Sequence, residues 1–397
     1  MRQQLLKGRA AALALLCALG GPAWAAEQPD GTQTTPTVMT LGLERLRLPG
    51  GERMGLLGAQ YLFEPTPGLR FGPAAYGAAS GQRGGLFTWG GEVQGVLRFA
   101  PEWQATAGLY VGGGGGAAAP VGGGLMLRPH VDVWRRLDGW QVGLSASQVR
   151  FPSGSISSSQ LGLMLAFDDS FRYTAPDQVG QSVRSTGRAG VGFDRVQAVL
   201  GRYQWRGGAS GSMSHVGVRL DRRLGEPMAS LGGAVATAGL EAAGAAQGGA
   251  DGYAEGLGTL GLEWPIGGAA VGVRGALGLA GGGAVPTRGG GIGKLAANAV
   301  LPLGRHWLLG AEVGRMQALQ GPLRGDYAQI NLGFVLDHAG GDAPADDAPR
   351  RVTGGRWGLA LASYSDAARK AGGSRAMQTI GLRFDRAIGE QTYWTGQ

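Results

Sequence analysis

Apolar and polar residues alternate with a period of two along most of this chain. Over 140–149 the even positions are Trp140, Val142, Leu144 and Ala146, and the odd ones are Gln141, Gly143, Ser145 and Ser147. Over 158–168 the odd positions carry Leu161, Leu163, Leu165 and Phe167, against Gln160, Gly162 and Asp168. Ala328, Ile330, Leu332, Phe334 and Leu336 alternate with Tyr327, Gln329, Asn331, Gly333 and Asp337. Ile380, Leu382 and Phe384 do so with Thr379, Gly381, Arg383 and Asp385. Each run predicts a β-strand with one apolar face and one polar or small face.

These runs are about 10 residues long, longer than the usual 5–6 of soluble strands and long enough for a tilted strand to cross a bilayer. Short turns separate some of them, at Pro49-Gly50-Gly51-Glu52, Leu137-Asp138-Gly139, Leu224-Gly225-Glu226-Pro227 and Leu303-Gly304-Arg305. Longer polar connections at 151–157, 316–325 and 365–375 alternate with them. That predicts short turns at one end and long loops at the other. Arg128-Pro129-His130 interrupts the strand at 125–134, and proline cannot donate to a ladder, so a bulge is expected there.

The pattern also repeats. Met213-Ser-His-Val-Gly-Val-Arg219-Leu-Asp221 aligns without a gap on Met377-Gln-Thr-Ile-Gly-Leu-Arg383-Phe-Asp385, 164 residues later. Met39-Thr-Leu-Gly-Leu-Glu44 reads as the same opening in a first copy. Trp140 and Trp307 are 167 residues apart, and Asp168 and Asp337 are 169 apart. The expected units are a first repeat over 26–171, a second over 172–338, an acidic Pro-rich linker or loop over 339–351, and a partial third repeat over 352–397. A third copy that stops after little more than one strand is expected either to close the barrel against the first copy or to be truncated.

Residues 1–25 read as a secretion signal: Arg2, Lys7 and Arg9, an apolar stretch over 10–20, and the small-x-small site Ala23-Trp24-Ala25. The sole cysteine, Cys17, lies inside it, so neither disulfide nor thiol chemistry is expected of the mature chain. Glycine is extreme, 79 of 397 residues, but no Gly-x-y period suggests collagen. Beyond the signal no run of some 18 apolar residues predicts a membrane helix. The net charge of +8 comes from scattered arginines rather than a basic stripe, so no nucleic-acid partner is expected.

Aromatics cluster near strand ends. Trp89, Trp103, Trp134, Trp140, Trp205, Trp264, Trp307 and Trp357 are candidates for a girdle at the headgroup level, with core aromatics of a soluble sandwich as the alternative. On the polar faces, Glu44, Arg219, Asp221, Arg383 and Asp385 are candidates to face a lumen, lining a passage or filling a closed interior. Catalytic and metal-binding residues are expected to be none, and no cofactor is implied. The only local Ser–His couple, Ser212-Met-Ser214-His215, has no acidic partner nearby, so the chain is not expected to be an enzyme.

In its signal, strand lengths, strand-end aromatics and loop asymmetry the chain resembles Gram-negative outer-membrane β-barrel proteins. The expected fold is all-β, an antiparallel transmembrane β-barrel of roughly 16–20 strands with internal duplication. The resemblance implies outer-membrane lipid and lipopolysaccharide as surroundings, assembly by the barrel-insertion machinery, and a role in passage or at the surface. The ending Tyr393-Trp394-Thr395-Gly396-Gln397 departs from the terminal aromatic with which such barrels usually close. The leading expectation is a porin-like or export channel for small solutes or a polymer. A non-conducting structural barrel is the alternative, and a soluble exported β-sandwich array a third.

Overall fold

A computed structural model describes residues 26–27, 32–183, 190–206, 210–304, 306–336, 350–352, 354–368, 372–387 and 393–396. The signal segment 1–25, Asp337 and 339–349 lie outside them.

The chain is all-β and antiparallel. Its first eight long strands are β1 (Thr32–Arg47), β2 (Arg53–Thr66), β3 (Leu69–Ser80), β4 (Phe87–Ala100), β5 (Trp103–Gly115), β6 (Leu125–Arg136), β7 (Trp140–Arg150) and β8 (Ser157–Thr174). Each pairs with the next, and β8 pairs back to β1, which closes the ring. Eight more follow: β9 (Arg195–Arg206), β10 (Gly211–Arg223), β11 (Val235–Gln247), β12 (Ala254–Ile266), β13 (Ala269–Gly281), β14 (Gly291–Leu303), β15 (Trp307–Ala318) and β16 (Arg324–Val335). They close in the same way, β16 on β9. The sixteen strands therefore divide between two rings rather than forming one wide one, and neither ring is a stacked sandwich.

The strands follow from the alternation. Residues at i and i+2 share a face, so one register slip would exchange the two faces of a strand wholesale. On the outward face stand large exposed apolar side chains, such as Leu161 at 78% exposure, Leu144, Leu163, Leu260, Leu277 and Leu295. The inward face is mixed and buried.

The duplication is legible strand for strand. Trp140 opens the seventh strand of the first barrel and Trp307 the seventh of the second. Arg128 on β6 faces Tyr110 on β5, and Lys294 on β14 faces Ala276 on β13, so two buried cations hold one place in the two ladders. The opening read at Met39 is one strand out of step. Met39 lies on β1, whereas Met213 lies on the second strand of its barrel, where Met54 on β2 is the matching inward methionine.

Connections at the two ends differ. One end carries 48–52, 81–86, 116–124 and 151–156 in the first barrel and 207–210, 248–253, 282–290 and 319–323 in the second; we call it the loop end. The opposite, turn end has 67–68, 101–102 and 137–139, then 224–234, 267–268 and 304–306. The tight connection at 49–52 thus belongs to the loop end, and 224–234 at the turn end is widened by a short 3-10 turn, Ala229–Leu231. The bulge expected at Pro129 is absent. Leu127 pairs with Arg150 and His130 with Ser147, an unbroken register that omits two pairs where proline offers no N–H.

The barrels touch at both ends. At the loop end the Gly84 N–H donates to the Arg288 carbonyl at 2.7 Å and the Gly81 N–H to Gln320 Oε1 at 3.0 Å. Glycine is required for that approach: a Cβ on Gly281 would stand 2.3 Å from the Gly85 nitrogen. At the turn end Arg222 reaches Asp169 at 3.2 Å. The segment after each barrel joins the other through a two-residue ladder, Ser182–Val183 on Arg350–Arg351. A separate antiparallel sheet of β17 (Gly355–Ala368), β18 (Ser374–Ala387) and β19 (Tyr393–Gly396) follows.

Candidate functional site: the two barrel interiors

An eight-strand barrel encloses just enough space for side chains to fill it. Both interiors here are filled, in two layers.

The layer nearest the loop end is apolar. In the first barrel Leu46, Met54, Leu56, Tyr76, Tyr110 and Met126 meet Leu86, Val121, Phe151 and Ile156, which the loops fold inward. In the second barrel Tyr203, Met213, Leu257, Ile292, Met316 and Tyr327 meet Ala250, Tyr253, Val285 and Leu323 from the loops. The loop mouths are therefore stoppered by side chains from which water is excluded.

Below each stopper lies an ion lattice. In the first barrel Arg128, wholly buried, engages Glu44 through Nη2 and through Nε at 3.1 Å, and donates to Ser145. Ser147 and Gln160 donate to the same carboxylate, at 2.9 and 3.1 Å. His130 stands between Glu92 at 2.6 Å and Asp132 at 2.9 Å, and Thr106 donates to Asp132 at 2.8 Å. The second barrel is denser. Arg219 holds Glu241 through Nε at 2.7 Å and Glu312 at 2.8 Å. Lys294 binds Glu241 at 3.0 Å and Glu255 at 2.7 Å, and also reaches the Tyr203 hydroxyl. Arg274 pairs with Asp221 at 2.9 Å, and Arg195 with Glu263 at 2.7 Å. Charges taken this far from water persist only when paired and hydrogen-bonded. Each cation here has that company.

Glu44, Arg219 and Asp221 all face inward and are buried. Arg219 and Asp221, two residues apart on one face, bond to other partners and not to each other. Arg383 and Asp385 stand apart. They pair at 2.9 Å on β18, a strand of the open sheet, and enclose no lumen.

The tryptophans divide. Trp89, Trp103, Trp140 and Trp307 are exposed on the outward face, Trp103, Trp140 and Trp307 near the turn end. Trp264 lies at the turn end and donates to the Leu231 carbonyl at 2.8 Å. Trp134 does not belong to a girdle. It is 3% exposed, points inward in phase with Arg128 and Asp132, and donates to Thr106 Oγ1 at 3.2 Å. Trp205 likewise shares the inward parity of Tyr203 and packs on the loop-end core. Both depart from the expected girdle because a strand-end position does not say which face a ring is on. The Trp357 side chain lies outside the described residues.

His215 is wholly buried, stacked on Tyr203 with ring centroids 4.1 Å apart, and 3.4 Å from Gln329 Oε1. Ser212 and Ser214 have the opposite parity on β10, so no Ser–His couple forms there. Outside the barrels, Glu52 grips Arg83 through Nη2 at 2.7 Å and raises the guanidinium above its usual range. Arg83 in turn donates to the carbonyls of Ala117 and Ala118, tying three loops together at the loop end.

Most of the lattice escaped notice in the sequence. Arg128 and His130 stand out in the sequence only as the flanks of Pro129, and Asp132, Glu241, Glu255, Arg274, Lys294 and Glu312 not at all. The available signal was parity: each of them alternates with an exposed apolar residue.

No protein-family model matches the chain, and no curated protein does. Solved structures similar to it include an outer-membrane channel of Pseudomonas putida F1, 10% identical, covering 80% of this chain and all of its own, with a TM-score of 0.19. The translocator domain of the autotransporter NalP of Neisseria meningitidis is 10% identical, covers 84% of this chain and 95% of its own, and has a TM-score of 0.19. OprB of Pseudomonas putida is 8% identical over 77% of this chain and 94% of its own, with a TM-score of 0.25.

Proposed function

We propose that the protein is an outer-membrane β-barrel protein built as two small barrels side by side, each closed in this state. The observation that carries the reading is the combination of an exposed apolar outer face with an interior plugged by an apolar stopper and a buried lattice of ion pairs. In water the outward leucines would be a liability, whereas in lipid they are the solvated face. Trp103, Trp140 and Trp307, near one end of that face, suit a headgroup boundary. The loop end would face outward and the turn end, where both barrels begin and finish, the periplasm.

A porin-like passage is the second reading, and the charged interiors favour it. It requires the stoppers to swing out and the ion lattices beneath them to part, so it describes a gated rather than a standing channel.

Planar-bilayer recording of the purified protein separates the two. The expected result is no steady conductance for the wild type, and conductance only after both the first stopper (Leu86→Ala, Phe151→Ala, Ile156→Ala) and the lattice beneath it (Arg128→Ala, Glu44→Ala) are cut back. Steady, ion-selective current through the unaltered protein would establish an open pore and overturn the closed reading.

A further inference from the structure

On the outer face of the first barrel, close to the loop end, Arg47 on β1 stands directly opposite Arg53 on β2, and Arg45 is two residues along on the same face. All three are exposed, and Arg150 on β7 has the same outward parity at the same end. Like charges placed directly opposite on neighbouring strands repel. Their nearest carboxylates in sequence are committed elsewhere: Glu44 is inside the barrel with Arg128, and Glu52 is held by Arg83. No ion pair to Arg45, Arg47 or Arg53 occurs among the described residues. The second barrel carries a like pair at its loop end, Arg206 opposite Arg324, so the groove beside the arginines of the first barrel, and not the repulsion alone, singles out this place.

The three arginines rim the upper end of a groove of about 1050 Å³ that runs across the outer wall. Lower down the lining is mixed and mainly apolar, with Ala107, Pro129, Val131, Ala146 and Leu161 beside the polar Gln148 and Ser159. The groove crosses the wall where β6 and β7 lack two ladder pairs at Pro129. Cationic above and mainly apolar below, it is complementary to a phosphate headgroup carrying acyl chains.

We infer that this groove binds one phosphorylated glycolipid of the outer leaflet, its phosphate between Arg45, Arg47 and Arg53 and an acyl chain along Ala107, Pro129 and Ala146. Guanidinium forks suit phosphate oxygens, and an anion between Arg47 and Arg53 relieves their mutual repulsion. The inference rests on the outer-membrane reading above.

The test is lipid retention by the full chain. Wild type and the triple variant Arg45→Ser, Arg47→Ser, Arg53→Ser are reconstituted in phosphatidylethanolamine vesicles with trace lipid A, recovered in detergent, and weighed intact with bound lipid by native mass spectrometry. The wild type should retain lipid A in preference to its dephosphorylated form, and the triple variant should lose about tenfold or more of that retention. A triple lysine variant should keep part of it, and Arg135→Ser with Arg136→Ser at the turn end of the same barrel should change nothing. A triple serine variant that still floats with vesicles yet retains lipid A as wild type does would overturn the site and leave the membrane reading standing. Equal retention of dephosphorylated lipid A by wild type would also overturn the site. A wild type that does not float with vesicles would overturn both.

Discussion

Glu241 is the residue on which the second lattice converges, since it answers Arg219 and Lys294 together. Replacing it with leucine leaves two buried cations short of a partner, and breaking a buried pair on one side costs about 3–5 kcal/mol. Glu241→Leu should lower the urea midpoint of the reconstituted protein accordingly. Replacing both partners is a different experiment. Arg128→Met with Glu44→Leu removes a pair together and should cost less than the sum of the two single changes; the difference is the coupling read by a double-mutant cycle. Tryptophan fluorescence tests the faces one ring at a time. In single-tryptophan variants, brominated lipid should quench Trp140 and Trp307 and spare Trp134, whose ring lies inside.

Strand pairing explains how much of this was readable. Alternation identifies a strand and its two faces, so the all-β, antiparallel architecture and the placement of Glu44, Arg219 and Asp221 on the polar face lay in the sequence. Closure did not. Whether β8 returns to β1 or continues into β9 depends on ladder partners more than a hundred residues apart, and every strand has the same period. The same limit put Trp134 and Trp205 on the wrong face and matched Met39 to the wrong strand. The glycine contact between the barrels was equally hidden, because runs such as 112–116 and 289–291 look alike in sequence but only the second meets the other barrel. Gly281→Val, which drives a side chain into the Gly85 backbone, should part the two loop ends. Limited proteolysis should then cut at 81–86 and 282–290, sites resistant in the wild type.

At the scale of the whole molecule, each barrel begins and ends at the turn end. Eight is an even number, and a chain that crosses an even number of times emerges on the side it entered. Thr174, the last residue of the first barrel, and Arg195, the first of the second, therefore lie on the same side. Parity makes the barrel a unit of inheritance: an in-frame copy of eight strands keeps every loop on its original side, whereas gain or loss of a single strand would invert all that follows.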